Sequence, residues 1–100
     1  MAKYNLTNKA VEDLAEIWNY TFDNWSERQA DHYYQILSDS CQVIADNQTL
    51  GKNFEGIIKS LFGFKVGRHI VFYRKVDNNN VEILRILHEQ MDLKSRISEK

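Results

Sequence analysis

The spacing of apolar residues changes near the middle of the chain, and this change constrains the fold more than any single motif does. Before Asp46, apolar residues recur at steps of three and four, which is the spacing of amphipathic α-helices. After "DNQTLGKN" the apolar stretches are short, rich in β-branched and aromatic residues, and separated by turn residues, as in strands. The sequence therefore predicts an α+β fold in which helices precede an antiparallel sheet.

The helical half is predicted to be an αα-hairpin that follows a short N-terminal strand, Lys3 to Leu6. Thr7 offers a side-chain oxygen as the N-cap of the first helix. The second helix begins at "SERQ", where Ser26 and Gln29 have the spacing of a capping box. Two amphipathic helices joined this closely must fold back on each other. The predicted apolar stripes contain Val11, Leu14, Trp18, Thr21 or Phe22, and Trp25 on the first helix, and Ala30, Tyr33, Leu37, Cys41, and Val43 or Ile44 on the second.

The second half is predicted to form a three-stranded antiparallel meander, joined by the N-terminal strand. Its strands are "LFGFKV", "HIVFYRKV" and "VEILRIL". Gly67-Arg68 suits a two-residue hairpin with glycine first, and Asp77 to Asn80 suits a longer loop. The middle strand is apolar on both faces, so the face that the helices leave open needs a cover, either the C-terminal segment or a partner. Ile70, Phe72 and Val76 are expected on one face, and Val71 and Tyr73 on the other.

Length, charge and cysteine content restrict the class of protein. One hundred residues suit a single domain, residues 1–100. Residues 1–53 hold four Lys and Arg against eight Asp and Glu, a balance of −4, whereas residues 54–100 have a balance of +3. This asymmetry is too small to predict bulk nucleic-acid binding. The lone Cys41 and the lack of a leader or an apolar span predict a cytoplasmic protein, and the three histidines have no metal-ligand spacing, so no metal or cofactor is expected.

Three segments, taken together in order and spacing, resemble one toxin family. "NKAVEDLAEIWNYTFDNWSERQADHYYQIL" is similar to the helical hairpin of ParE-type toxins, and "GRHIVFYR" and "ILRILHEQMD" are similar to that family's H..FYR strand and RILH..MD ending. The resemblance runs from about Lys3 to Asp92. One departure is the loop from Asn47 to Gly51, which lacks the proline that the family often has there. The hairpin pattern is carried by Ala10, Asp13, Leu14, Ile17, Tyr20, Trp25, Gln29, Ala30, Tyr33 and Leu37.

The resemblance implies the RelE/ParE fold and the toxin of a type II toxin-antitoxin system, of the kind associated with plasmid stabilization. It implies a ParD-like antitoxin in a hetero-oligomer with the toxin, and DNA gyrase as the target. On this interpretation the chain is not an enzyme and binds no nucleic acid sequence-specifically. The alternative is a ribosome-dependent mRNA endoribonuclease of the same fold. An α+β binding module outside any toxin system also remains open.

The stretch "RILHEQMD" decides between the first two interpretations. RNA cleavage needs a base for the ribose 2′-hydroxyl and cations for the developing charge. The candidates are His88 or His69 as base and Arg68, Arg85 or Lys65 as cations. Strand alternation would place Val81, Ile83, Arg85 and Leu87 on one face and His88 on the other, which argues against convergence on one phosphate. Arg85 is therefore predicted to pair with a helix carboxylate, Asp13 or Glu16, with Asp13 preferred, and His88 to bond Asp92.

Contacts with the antitoxin or the target are predicted on the sheet and at the C-terminal end. The candidates are Tyr73, Arg74, Met91, Leu93, Arg96 and Ile97. Deleting residues 94–100 is expected to weaken gyrase inhibition and to preserve the fold. The aromatic residues Trp18, Trp25, Tyr33 and Tyr34 could stack on bases, but their helical spacing favours a core seam.

Overall fold

The computed structural model describes residues 2–91 and residue 97, and in these it has the predicted order of elements. A five-stranded sheet has the order β1-β5-β4-β3-β2; β1 runs parallel to β5, and the other neighbours are antiparallel. The α+β prediction is confirmed, although the two-residue β2 was not predicted. The elements are β1 Lys3–Leu6, α1 Asn8–Asn24, α2 Glu27–Asp46, β2 Lys52–Asn53, β3 Phe62–Val66, β4 His69–Asp77 and β5 Asn80–His88.

Side-chain caps define where the two helices begin, as the sequence predicted. The Thr7 hydroxyl accepts a hydrogen bond from the Ala10 amide at 3.1 Å, and the Ser26 hydroxyl accepts one from the Gln29 amide at 3.1 Å. Each oxygen satisfies an amide that has no partner within its helix. Only Trp25 and Ser26 separate the helices, so α1 and α2 fold back on each other as an αα-hairpin.

The main core lies between this hairpin and one face of the sheet. Leu37, Cys41 and Ile44 of α2 pack there against Val71 and Tyr73 of β4. Burial raises the pKa of the Cys41 thiol to about 11, so this cysteine is a small core residue and not a reactive nucleophile. The other buried members of the cluster are Ala10, Leu14, Ala45, Val66, Val81, Ile83 and Ile86.

A second, smaller core covers the opposite face of the sheet. Phe72 and Leu87 are buried there under Leu61 and Ile97, with Phe54 packed against them. The Phe54 ring meets the Phe72 ring edge-on at 5.2 Å between centroids. The cover was expected from the C-terminal segment or from a partner, and the connection between β2 and β3 was not considered. That connection and Ile97 provide it, so this face is not open.

A β-bulge changes which residues of β5 face the helices. Phe72 pairs with Arg85 and Tyr73 pairs with Ile83, so Leu84 is an extra residue on β5. Beyond it the alternation inverts, and Leu87 packs in the second core while Ile83 packs in the first. The predicted common face for Val81, Ile83, Arg85 and Leu87 is therefore wrong, because alternation holds only in an uninterrupted ladder.

The predicted core seam on α1 is also wrong in part. Leu14 is buried, but Val11 is 51% exposed and Trp25 is 72% exposed. The sheet instead contacts the neighbouring flank, which carries Ala10, Leu14 and Ile17. Both flanks have apolar residues at steps of three and four, so periodicity alone could not tell which one faces the sheet. The predicted stripe member Val43 and the seam candidate Tyr34, both on α2, are likewise exposed.

The two meander turns are both tight. Gly67 has a φ of +58°, and Val66 pairs with His69 across Gly67-Arg68, as predicted for a glycine-first turn. Asp77 pairs with Asn80, so Asn78-Asn79 is also a two-residue loop, shorter than predicted.

Within residues 2–91 and 97, neither helix is both long and apolar enough to pass through a lipid bilayer.

Candidate functional site: a histidine-lined cleft beside the first helix

A concave surface runs between α1 and the end of β5, and we call it the α1–β5 cleft. It consists of two cavities, of about 470 Å³ and about 660 Å³, which share Tyr20, His69 and His88. The first cavity is also lined by Asp13, Glu16, Ile17, Arg85, Ile86, Leu87 and Met91, and the second by Thr21, Trp25, Gln29, His32, Tyr33, Gly67, Arg68 and Gln90.

The cleft exists because β1 is shorter than β5. β1 ends at Leu6 opposite Ile83, so among the residues that the structure describes no strand lies beside the rest of this β5 edge. Side chains from the start of α1 take the place of one. The Thr7 hydroxyl donates to the Leu84 carbonyl at 2.8 Å, and the Asp13 carboxylate accepts from the Ile86 amide at 3.0 Å. These bonds hold α1 along the strand edge and leave the cleft beyond it.

The predicted ion pair between Asp13 and Arg85 is present at the base of the cleft. Arg85 Nε lies 2.8 Å from Asp13 Oδ2, and Arg85 Nη2 lies 3.0 Å from Oδ1. The side chains are only 12% and 8% exposed. This two-bond geometry compensates the guanidinium charge, since both planar groups are engaged along their full edges.

A histidine pair lies beside this ion pair. The β4–β5 register places His69 opposite His88, and their rings meet edge-on at 5.3 Å between centroids. Tyr33 of α2 donates its hydroxyl proton to the Val66 carbonyl at 3.2 Å, and its oxygen lies 2.6 Å from His69 Nδ1. Burial, with a smaller contribution from His88, lowers the pKa of His69 to about 4. The His69 ring is therefore neutral at pH 7.

Four of the five residues considered for RNA cleavage line the cleft. His69, His88 and Arg85 surround the first cavity, and Arg68 lines the second with the two histidines. From Arg85 to His88 the β4–β5 ladder is unbroken, so these two residues alternate as expected, yet both line the first cavity, where Arg85 reaches Asp13 beside the strand edge. Lys65, the remaining cation candidate, pairs with Glu89 at 3.1 Å. The His88 ring accepts the Gln90 amide proton at 3.2 Å, and its predicted partner Asp92 is outside the described residues.

The predicted binding residues have mixed locations. Tyr73 is fully buried, and its hydroxyl bridges the Gln48 carbonyl and the Gly51 amide, so it is a core residue with no accessible surface. Arg74 is exposed and pairs with Glu82 at 2.6 Å. Met91 is partly exposed in the cleft, whereas Ile97 is buried against the sheet. The predictions for Leu93 and Arg96 fall outside the described residues.

Two further cleft residues are Glu16, which was the alternative partner predicted for Arg85, and Tyr20, which was named only in the family's hairpin pattern. Tyr20 is 67% exposed, and the Glu16 side chain has no ion pair or hydrogen bond with the part of the chain that the structure describes. Their spacing from Asp13 was the available signal, because positions 13, 16 and 20 share one side of a helix. Among residues 2–91 and 97, no cluster of three or more His, Cys, Asp or Glu side chains could hold a metal ion.

Comparison with known proteins gives a consistent family. Residues 4–93 match the model of the ParE toxin of the type II toxin-antitoxin system parDE. The chain is 32% identical over 97 residues to Toxin ParE1 of Caulobacter vibrioides, covering 97% of this chain and 99% of that protein. It is 30% identical over 92 residues to Toxin ParE1 of Mycobacterium tuberculosis, covering 92% of this chain and 94% of that protein.

Solved structures share the fold at lower identity. The chain aligns with a chain of the chromosomal ParDE TA system from P. aeruginosa with a TM-score of 0.73 and 21% identity, covering 88% of this chain and 96% of that one. It also aligns with a chain of the toxin-antitoxin complex RelBE2 from Mycobacterium tuberculosis with a TM-score of 0.57 and 19% identity, covering 87% and 96%.

Proposed function

This chain belongs to the ParE toxin family of type II toxin-antitoxin systems, and from that premise we propose that it inhibits DNA gyrase without cleaving RNA and is neutralised by a ParD-like antitoxin. Because the chain belongs to this family, we no longer consider the interpretation that it is an α+β binding module outside any toxin system. The choice between gyrase inhibition and RNA cleavage depends on the chemistry of the α1–β5 cleft.

The observation that carries the proposal is the engagement of Arg85 by Asp13. Cleavage of a phosphodiester by the adjacent 2′-hydroxyl develops negative charge on the phosphate, and a cation must be available to it in the transition state. Arg85 gives two of its N–H groups to a buried carboxylate. Recruiting it to a phosphate would leave Asp13 as an uncompensated buried charge, which is costly.

The histidines support the same conclusion. A general base works best when its pKa is near the working pH. The pKa of His69 is lowered to about 4, so its neutral ring is a weak base at pH 7. Its Nδ1 atom is also engaged with the Tyr33 hydroxyl at 2.6 Å. What favours the alternative is position alone, since His69, His88, Arg68 and Arg85 all line one cleft.

A protein antitoxin is supported by the solved structures that share this fold, which are the chromosomal ParDE TA system from P. aeruginosa and the toxin-antitoxin complex RelBE2 from Mycobacterium tuberculosis. Exposed apolar side chains on the helical hairpin form a surface to which such a partner can bind. A disordered antitoxin segment that folds on binding would wrap that surface. The encounter is proposed to occur in the cytoplasm, which suits a chain whose one cysteine is buried and unpaired.

Two assays on purified protein test gyrase inhibition against RNA cleavage. The toxin should block supercoiling by gyrase, or trap cleaved DNA, and should leave ribosome-bound mRNA uncut. His88→Ala is the diagnostic variant for the second assay, because His88 is the one of the two candidate bases whose imidazole is not bonded to Tyr33. Codon-positioned cuts that the wild type makes and His88→Ala does not would establish the endoribonuclease instead.

The antitoxin is tested by mixing the toxin with the product of the adjacent upstream reading frame. The two should co-purify, and the helical circular dichroism of the mixture should exceed the sum of the separate proteins, because ordering of the antitoxin tail adds helix. Failure to co-purify, with no gain in helix, would rule out that product as the antitoxin.

A further inference from the structure

The α1–β5 cleft carries two opposite charges that the described part of the fold leaves without a partner. Glu16 lines the first cavity and Arg68 the second, so they lie on either side of the residues that the cavities share. The Arg68 guanidinium has no ion pair or hydrogen bond with residues 2–91 or 97. Lys65 chiefly, with Arg68 adding to it, lowers the pKa of Glu89, and Lys65 already bonds that carboxylate at 3.1 Å.

The turn that carries Arg68 is held in place. Its carbonyl oxygen accepts a hydrogen bond from the Glu89 amide at 2.9 Å. The preceding Gly67 has a φ of +58° and lies directly against Tyr33, where an added Cβ would be 2.9 Å from the hydroxyl oxygen. The backbone below the guanidinium is therefore ordered before any partner binds, which lowers the entropic cost of binding.

The histidine pair that both cavities share offers one donor and one acceptor. The Gln90 amide donates to His88 Nδ1 at 3.2 Å, which places the ring proton of a neutral His88 on Nε2. If both contacts of the Tyr33 hydroxyl are satisfied, it donates to the Val66 carbonyl and accepts from His69 Nδ1, so His69 Nε2 is an acceptor. Neither Nε2 atom has a hydrogen-bond partner among the residues that the structure describes. A donor beside an acceptor matches a peptide group, which has one of each.

An exposed aromatic residue lies where the two cavities meet. Tyr20 lines both of them and is 67% exposed, and its hydroxyl has no hydrogen bond within the described ranges. Ala10, Leu14 and Ile17 attach α1 to the core instead, so the fold makes little use of the Tyr20 ring. Tyrosine is enriched among the residues that dominate the binding energy of protein interfaces.

Charge and shape select the kind of partner. Asp13 and Arg85 compensate each other, and Glu16 and Arg68 then leave the cleft with no net formal charge when the histidines are counted as neutral. Nucleic-acid binding needs an excess of cations. A second copy related by a two-fold axis would place this concave surface against itself, and neither cleft would be filled. A protruding protein segment that carries charges of both signs complements the cleft.

The target suits this cleft better than the antitoxin does. The antitoxin is proposed above to cover the exposed apolar side chains of the hairpin, since a segment that folds on binding depends on apolar burial. The target instead meets the free toxin in solution, and interfaces of that kind are about as polar as the rest of a protein surface. The cleft has this mixed character, with two charges, two histidines and one exposed aromatic ring.

We propose that the α1–β5 cleft is the surface that binds gyrase, and that it takes a protruding segment of the enzyme with a carboxylate for Arg68 and a Lys or Arg side chain for Glu16. A peptide group of that segment bonds the His69–His88 pair, and its side chains pack on Tyr20. This inference rests on the proposed function, because it names the contact surface for the proposed target.

The charge test reverses each cleft charge and compares it with a matched position outside both cavities. The pairs are Arg68→Glu with Arg28→Glu, and Glu16→Lys with Glu12→Lys. The toxin concentration that halves supercoiling should rise at least ~10-fold in each cleft variant and by no more than about twofold in each control. All four variants should keep the wild-type melting temperature, because all four side chains are exposed.

The outcomes of the charge test separate this inference from the proposed function. Unchanged inhibition in either cleft variant overturns the inference alone. A cleft variant that loses affinity for the adjacent-frame product and still inhibits gyrase would assign the cleft to the antitoxin, and also overturns it. A wild type that does not inhibit gyrase overturns the proposed function together with this inference.

A cross-linking test locates the contact directly. The photo-reactive amino acid p-benzoylphenylalanine replaces Tyr20 in one variant and Tyr34 in the other; Tyr34 is 43% exposed on α2 and lies outside both cavities. Irradiation with gyrase and DNA should cross-link the first variant to a gyrase subunit, and not the second. A Tyr20 variant that inhibits gyrase without cross-linking to it, or that cross-links to the DNA, contradicts the proposal.

Discussion

At the scale of single residues, Asp13 supplies to the β5 edge a hydrogen-bond acceptor that a neighbouring strand would otherwise provide. Its carboxylate accepts from Arg85 Nε and Nη2 and from the Ile86 amide, so one buried side chain satisfies a guanidinium and an open strand edge. Removing the Asp13 carboxylate alone lowers stability strongly, because the buried donors of Arg85 and Ile86 lose their acceptor and do not gain water in its place.

Asp13→Ala should therefore lower the free energy of unfolding by about 3–5 kcal/mol. The matched control is Glu82→Ala, which breaks the exposed pair with Arg74 and should cost no more than about 1 kcal/mol. Urea denaturation followed by circular dichroism measures both. Equal costs for the two variants would show that the Asp13–Arg85 pair contributes no more to stability than an exposed ion pair does.

His69 predicts how stability depends on pH. Its pKa is about 4 in the folded protein and 6.5 without perturbation, so between these values the unfolded state binds more protons. The free energy of unfolding should then fall as the pH decreases from 6.5 to 4, because protonation favours the unfolded chain. His69→Asn should flatten the curve in this window, by less than the full shift since the ring is partly solvated. The same slope in both proteins would contradict a depressed pKa at His69.

At the scale of elements, the two helix caps differ in what they hold. Thr7 caps α1 and also donates to the Leu84 carbonyl of β5, whereas Ser26 bonds only the Gln29 amide at the exposed start of α2. Ser26→Ala should cost about 1 kcal/mol, the usual value of a cap. Thr7→Ala should cost about 1 kcal/mol more, because a tether to the sheet is lost as well. Thermal unfolding of the two variants tests this, and an equal loss would show that the Leu84 bond contributes nothing.

Local signals predicted the elements well, and contacts distant in sequence decided the rest. Helix caps, apolar periodicity and turn residues depend only on residues close together in the sequence, so both helices and the three long strands could be predicted. The β5 bulge depends on how β4 packs, and it reversed the predicted side of Leu87. The exposure of Trp25 depends on which flank of α1 meets the sheet. The His69–His88 pair comes from strand register across nineteen positions, which spacing in the sequence cannot reveal.

At the scale of the whole molecule, two cores lie on opposite faces of one sheet, and Ile97 belongs to the smaller one. Ile97 is buried against Leu61, Phe72 and Leu87. The expectation that deleting residues 94–100 preserves the fold therefore needs correction, because the deletion removes a core side chain.

Ile97→Ala should lower the free energy of unfolding by about 2–3 kcal/mol, near the lower end for a buried isoleucine. Met91→Ala, at a partly exposed position, is the control and should cost less than about 1 kcal/mol. Comparing each variant's stability with its inhibition of supercoiling separates loss of fold from loss of target contact. An Ile97→Ala protein of unchanged stability would show that Ile97 does not support the second core.

The parallel pairing of β1 with β5 has a consequence for synthesis. Lys3 to Leu6 pairs with Asn80 to Ile83, which follow it by 77 positions in the chain, and β5 also supplies Arg85 to Asp13. At a synthesis rate of about 5–20 residues per second, the N-terminal strand and both helices remain exposed for seconds before β5 emerges from the ribosome. Contacts this distant in sequence also slow folding after release. The nascent chain therefore passes through an interval in which the hairpin has emerged but its core is incomplete, and a binding partner present at the ribosome would have that interval in which to engage it.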